Sequence, residues 1–179
     1  MSPRPTLQPP RVLPVDPDDA PAFAAWNDVL TRGERHGRER YATPWMPGEM
    51  RERLRSPEAG THLEAWALVE GRPDEGVVRA SALLEWRTAD NLDRIDARVM
   101  TDPAVWGQGH GTRMLDAVVE RCRALGRSRL GADAWWPIEA GTDGEGTVGA
   151  DFLRRRGFTL GISEVLRVLP LPVPSRSEE

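Results

Sequence analysis

Seven consecutive residues, Trp106-Gly107-Gln108-Gly109-His110-Gly111-Thr112, carry the clearest chemistry in the chain. They join a strand-like segment to an amphipathic segment of helical period. A strand that enters a helix this way leaves several backbone N–H groups at the helix N-terminus without intrahelical partners. With the helix dipole, those donors favour an anion, above all a phosphate. The glycines permit the backbone angles that aim successive N–H groups at one point, and they keep side chains away from a bulky diphosphate. Thr112 adds a hydroxyl, and His110 can approach the phosphates. The dinucleotide fingerprint G-x-G-x-x-G fails because position 112 is threonine. Read alone, the glycines fit either a phosphate cradle or a tight turn that binds nothing.

Other chemistries are excluded by residue type. The chain has no lysine, so neither a Walker A loop nor a lysine Schiff base is available. The single cysteine, Cys122, rules out an internal disulfide and a cysteine-based metal cluster. His36, His62 and His110 are too scattered for a zinc site, so no metal is expected. A formal net charge of −4 argues against a nucleic-acid surface. No apolar run is long enough to span a membrane, and the N-terminus lacks an apolar signal region. Together these features suggest a cytoplasmic protein.

The elements that would position the turn are legible from their periods. Residues 1–10 are proline-rich and read as a disordered tail, and 172–179 as a polar tail, around one domain over 11–171. Arg11–Val15 reads as a first strand. Phe23, Trp26, Val29 and Leu30 recur at helical spacing behind the capping residues Asp16–Asp19, and Gly33 weakens that helix. A second helix is expected over Pro47–Leu54. Three strands then follow: one around Leu63–Val69, one over Val77–Trp86 and one over Leu92–Thr101. Their short connections imply an antiparallel meander. Met114, Val118, Cys122 and Leu125 form the apolar stripe of the next helix, which Gly126 caps. Ser128–Trp135 completes a βαβ unit, so its strand should run parallel to Leu92–Thr101. Pro137–Gly146 reads as a loop and Val148–Arg156 as a short helix. Phe158–Ile162 and Val165–Leu171 read as final strands.

The segment Val99-Met-Thr-Asp-Pro-Ala-Val-Trp-Gly-Gln-Gly-His-Gly-Thr-Arg-Met-Leu115 resembles the acetyl-CoA-binding motif of the Gcn5-related N-acetyltransferase (GNAT) superfamily. Gly109 and Gly111 match its two small positions, and Trp106 stands where Arg or Gln is usual. Phe152-Leu-Arg-Arg-Arg-Gly-Phe158 is similar to the superfamily's last helix, and the element order agrees over residues 11–171. The closest likeness is to one half of tandem-domain actinobacterial members. The resemblance implies an α/β fold of α+β type: a mixed, mostly antiparallel sheet, splayed in the middle, with helices on both faces.

It also implies a function, transfer of acetyl from acetyl-CoA, or another acyl group from its acyl-CoA, to a primary amine of a small molecule or peptide. Val99, Met100 and Thr101 would bind the pantetheine arm as an added strand would, and Trp106 to Thr112 would hold the diphosphate. The base that deprotonates the amine would be Asp93, by position relative to the glycine turn, or Asp96 if a bulge reverses the strand's faces. Glu64 and Glu85 are weaker candidates. Tyr41 and Trp45, after the first helix, would border the acceptor. The superfamily's usual general-acid tyrosine aligns with Leu153, which keeps open an alternative: a catalytically silent acyl-CoA-binding module. Either reading leaves room for a homodimer.

Overall fold

The computed structural model describes residues 9–38, 40–71, 76–165 and 167. Contacts divide the chain into two compact units, residues 1–133 and 134–179. The first holds a five-stranded sheet in the order β1-β2-β3-β4-β5. These strands are β1 (Arg11–Pro14), β2 (Thr61–Glu70), β3 (Val77–Arg87), β4 (Arg94–Thr101) and β5 (Arg129–Ala132). β1 to β4 are antiparallel neighbours, as the meander predicts, and β5 lies parallel to β4. This is the mixed sheet expected from the βαβ pattern.

Helices α1 (Ala20–Arg35), α2 (Pro47–Arg55) and α3 (His110–Ala124) pack on the sheet. α1 begins where Asp19 accepts the N–H of Ala22 at 3.1 Å, a side-chain cap that satisfies a donor the helix cannot. Trp26, fully buried on α1, donates from Nε1 to the Ala82 carbonyl at 3.2 Å, and the Ser81 hydroxyl returns a 2.7 Å bond to the Trp26 carbonyl. α1 therefore lies on the face of β3 that carries Ser81. The other face of the sheet carries Leu68, Ala80, Ala82, Leu84, Trp86, Ile95 and Ala97, which form one core with Met114, Val118 and Cys122 of α3. The helical stripe read from the sequence is the buried face of α3. Burial pushes the Cys122 thiol above its ordinary range, so it is a packing residue.

Four expectations need refining. Gly33, read as a weak point, does not end α1, which continues to Arg35. An added Cβ at position 33 would lie 2.7 Å from Met100 Cβ, so glycine here permits close approach of helix to strand. The third meander strand starts at Arg94 rather than Leu92, and β5 is shorter than Ser128–Trp135. Phe158–Ile162 forms no strand, although its apolar residues alternate. Most of the expected strand Val165–Leu171 lies outside the described residues.

In the second unit, helix α4 (Val148–Arg154) follows a loop with a 3-10 turn at Ile138–Ala140. Trp136 holds that loop, donating from Nε1 to the Gly141 carbonyl at 2.9 Å and lying against Gly144 where a Cβ would clash.

Candidate functional site

The site is built on β4. Its register with β3 runs without a shift from Ala80↔Thr101 to Glu85↔Asp96, so no bulge interrupts it. Side chains therefore alternate simply: Ile95, Ala97 and Val99 face α3, while Asp96, Arg98 and Met100 face α1. Pairing with β5 runs only from Arg94↔Arg129 to Ala97↔Ala132. β4 continues for four more residues, Arg98 to Thr101, past its last β5 partner. This is the splay that the resemblance implies, and Val99, Met100 and Thr101 form its edge.

From Thr101 the chain enters a 3-10 turn, Pro103–Val105, capped by Asp102, whose Oδ1 accepts the Ala104 N–H at 3.1 Å. Trp106 then folds back, donating from Nε1 to the Thr101 carbonyl at 3.1 Å. Gly107 and Gly109 follow with φ of +80° and +84°, in the left-handed region that glycine reaches without strain. Gly109 is the N-cap of α3. An added Cβ at either glycine would meet no atom within 4 Å, so the backbone of the turn lies open. The N–H groups of His110 and Gly111 lie ahead of the first α-helical bond, which runs from Arg113 to Gly109 at 3.1 Å.

His110, the first residue of α3, is 4% exposed, and neither of its ring nitrogens has a hydrogen-bond partner among the described residues. The open glycine backbone fits a diphosphate-bearing cofactor such as coenzyme A.

The last turn of α1 rests on this β4 segment, contact by contact. Arg32 pairs with Asp102 at 2.9 Å, Gly33 abuts Met100 and Glu34 pairs with Arg98 at 2.8 Å. His36 meets the Trp106 ring edge-on, with centroids 4.6 Å apart. Glu34 is buried, and Arg98 also reaches Asp133 at 3.3 Å. Burial pushes the Asp102 carboxyl up, but the Ala104 N–H and the Arg32 guanidinium outweigh it and leave the group below its ordinary range. Glu34, Arg98, Arg32 and Asp102 are the participants that sequence reasoning missed. Their partners are distant in sequence, and only Asp102, as the residue ending the strand, gave any local signal.

The two candidate carboxylates occupy different settings. Asp93 precedes β4; its side chain lies 3.4 Å from Arg129, and its carbonyl accepts the N–H groups of Ser128 and Arg129. Asp96 sits on the α1 face, directly across from Glu85, and pairs with Arg94 at 2.6 Å. Asp96 and Glu85, with Trp86, Arg87, Asn91 and Arg94, line an open cavity of about 270 Å³. Glu85 also lies 3.3 Å from Arg53. Glu64 is on the opposite face of the sheet, held by Arg121 of α3. Tyr41 and Trp45 are half-exposed between α1 and α2, with the Arg53 guanidinium 4.6 Å from the centre of the Trp45 ring. Among the described residues, no helix is long and apolar enough to cross a membrane, and no group of three or more His, Cys, Asp or Glu is placed to hold a metal ion.

Known structures share this architecture. The YncA protein of Salmonella typhimurium, solved with its cofactor acetyl-CoA, superposes with a TM-score of 0.60 at 17% identity, covering 86% of this chain and 81% of that one. An aminoglycoside acetyltransferase from an uncultured soil metagenomic sample, solved with sisomicin, gives 0.58 at 12% identity, covering 90% and 96%. A tandem GNAT protein from the clavulanic acid biosynthesis pathway gives 0.58 at 20% identity over 70% of this chain, which spans 37% of that longer chain. No curated protein matches the sequence. The acetyltransferase (GNAT) domain family matches residues 11–137, and the chain belongs to that family.

Proposed function

We propose that the chain is an acyl-CoA-dependent N-acyltransferase that moves acetyl from acetyl-CoA to a primary amine of a small molecule or peptide, by direct attack in a ternary complex. The observation that carries this reading is the continuity of β4, Trp106, the two left-handed glycines and the N-terminus of α3. One strand offers an edge that β5 does not pair at Val99–Thr101 and leads within eight residues into an open turn at Gly107–Gly109 and the N-terminus of α3. An extended arm ending in a diphosphate suits that order of features. Acetyl-CoA bound to YncA on the same fold supports the choice of cofactor.

When bound, the cofactor supplies an activated thioester; the chain supplies orientation and proton handling. A protonated amine must lose a proton before it attacks. Asp93 and Asp96 are the proposed bases. β4 carries no bulge, which keeps Asp93 as the base expected from position; Asp96 is supported instead by the face it shares with Arg98 and Met100 and by the cavity it borders. Tyr41 and Trp45 are the proposed acceptor contacts. The sisomicin complex of the metagenomic relative supports a polyamine-like acceptor as the first class to try.

Leu153, aligned with the superfamily's usual acid tyrosine, favours a second reading in which the domain binds acyl-CoA without turnover. Free thiol release from acetyl-CoA across a panel of amines separates the two. Turnover that falls at least tenfold in Asp96→Asn or Asp93→Asn, with acetyl-CoA affinity kept, supports the enzyme. Tight acetyl-CoA binding with no thiol release on any amine supports the silent module.

A further inference from the structure

Gly131 stands inside β5, where a glycine weakens the strand and leaves a gap on its surface. Two ordinary reasons for a glycine do not apply. Its φ lies outside the left-handed region, so other residues could adopt its backbone. The β4–β5 register runs past it without a shift, so no bulge explains it. The reason that remains is a close approach. A Cβ at position 131 would collide with Asp96 Oδ1, and it would lie 3.0 Å from Arg94 Nη2 and 3.3 Å from Asp96 Cγ.

Asp96 has Gly131 as its direct neighbour on β5 and Glu85 as its direct neighbour on β3. Like charges on opposed strand positions repel. The Asp96 carboxylate lies against β5, away from that like charge, and Arg94 holds it there through Nε at 2.9 Å and Nη2 at 2.6 Å. This place matters for the reaction proposed above. The cofactor arm would run from the open turn at Gly107–Gly109 back along the β4 edge from Thr101 to Val99, and β5 closes that edge at Ala97. The reactive end of the arm therefore stops beside the next pair of residues, Asp96 and Gly131.

We infer that Gly131 is a positioning residue for acyl transfer: its missing side chain lets the Asp96 carboxylate lie over the junction of β4 and β5, within reach of an acceptor amine at the reactive end of the arm. This rests on the reading of Asp96 as the base. An alanine at 131 would push the carboxylate off this seat without touching the cofactor edge or the glycine turn.

The test compares wild type, Gly131→Ala, Asp96→Ala and the double variant by thiol release from acetyl-CoA with a panel of primary amines that includes sisomicin. Acetyl-CoA affinity, by calorimetry, and melting temperature are measured alongside. The new methyl meets the end of a side chain that can swing aside, so Gly131→Ala should keep or exceed the wild-type melting temperature. Its kcat should nonetheless fall about tenfold or more, as expected when a base is displaced by about 1 Å, and its acetyl-CoA Kd should not change. With the carboxylate removed the methyl has room, so the double variant should release thiol at the rate of Asp96→Ala. Wild-type kcat in Gly131→Ala beside an impaired Asp96→Ala overturns the inference. So does a double variant slower than Asp96→Ala, or a Gly131→Ala that melts well below wild type, because either marks structural damage. Wild-type turnover in Asp96→Ala overturns the role of Asp96 as base, and a wild type that releases no thiol on any amine overturns the enzyme reading itself.

Discussion

Gly33→Ala sets two opposed effects against each other at one atom. In a helix interior the exchange is worth about 1 kcal/mol in favour of alanine, from backbone entropy. At position 33 the added Cβ would lie 2.7 Å from Met100 Cβ and 3.1 Å from its Cγ and Sδ. Ordinary carbon contacts sit at about 3.5–4.0 Å, so α1 or β4 must yield by about 1 Å. Met100 Cβ is fixed to the β4 backbone and cannot swing aside. Overpacking of this kind costs about 1–3 kcal/mol, so the net expectation is destabilisation near 1 kcal/mol. For a chain of this size that lowers the melting temperature by about 2–4 °C. Thermal unfolding followed by circular dichroism measures it. Gly48→Ala is the control, because Gly48 lies in α2 with nothing within 4 Å of an added Cβ; that change should raise the melting temperature slightly. Met100→Ala should not rescue Gly33→Ala, since it removes Cγ and Sδ but leaves the closer Cβ. If Gly33→Ala raises the melting temperature as Gly48→Ala does, the steric reasoning is refuted.

Two further outcomes are expected. Trp26→Phe removes the buried Nε1 bond to Ala82 and leaves a small void at a fully buried site, so urea unfolding should show a loss of about 2–3 kcal/mol with the m-value unchanged. At Glu64 burial pushes the carboxyl up, but the Arg121 and Trp66 bonds outweigh it and leave the group below its ordinary range. A carboxylate lowered on folding stabilises above its unfolded pKa, and that stability is lost as pH falls through the folded one. The melting-temperature gap between wild type and Glu64→Gln should therefore be full at neutral pH and close below about pH 4; a gap that stays constant down to pH 3 contradicts this origin.

The parts of the fold that rest on local periodicity were legible in the sequence. Met114, Val118 and Cys122 announced the buried face of α3, and the short links between β2, β3 and β4 announced the meander. Gly107 and Gly109 announced a turn whose backbone only glycine adopts cheaply. Features that depend on a distant partner were not legible. Gly33 read only as a weak point in a helix because its reason is Met100, on another element. Glu34 and Arg98 read as ordinary charged residues, yet they meet across 64 positions and bury a carboxylate. Phe158–Ile162 alternates in apolar residues yet forms no strand, so alternation over so short a run does not by itself fix strand pairing. Which faces Asp93 and Asp96 take depends on the register of β4, which a single extra residue would have inverted.

The seam between α1 and the β4 segment also bears on how this chain can vary. Arg32, Gly33, Glu34 and His36 each meet a different point along Asp102, Met100, Arg98 and Trp106. A substitution disturbs one of these meetings. Deleting one residue within α1 turns everything after it by about 100° and displaces all four at once. Length changes should therefore be tolerated between His36 and Pro47, beyond the seam, and rejected within the helix. The segment that carries Tyr41 and Trp45 can diversify by insertion while the strand and turn it adjoins keep their alignment.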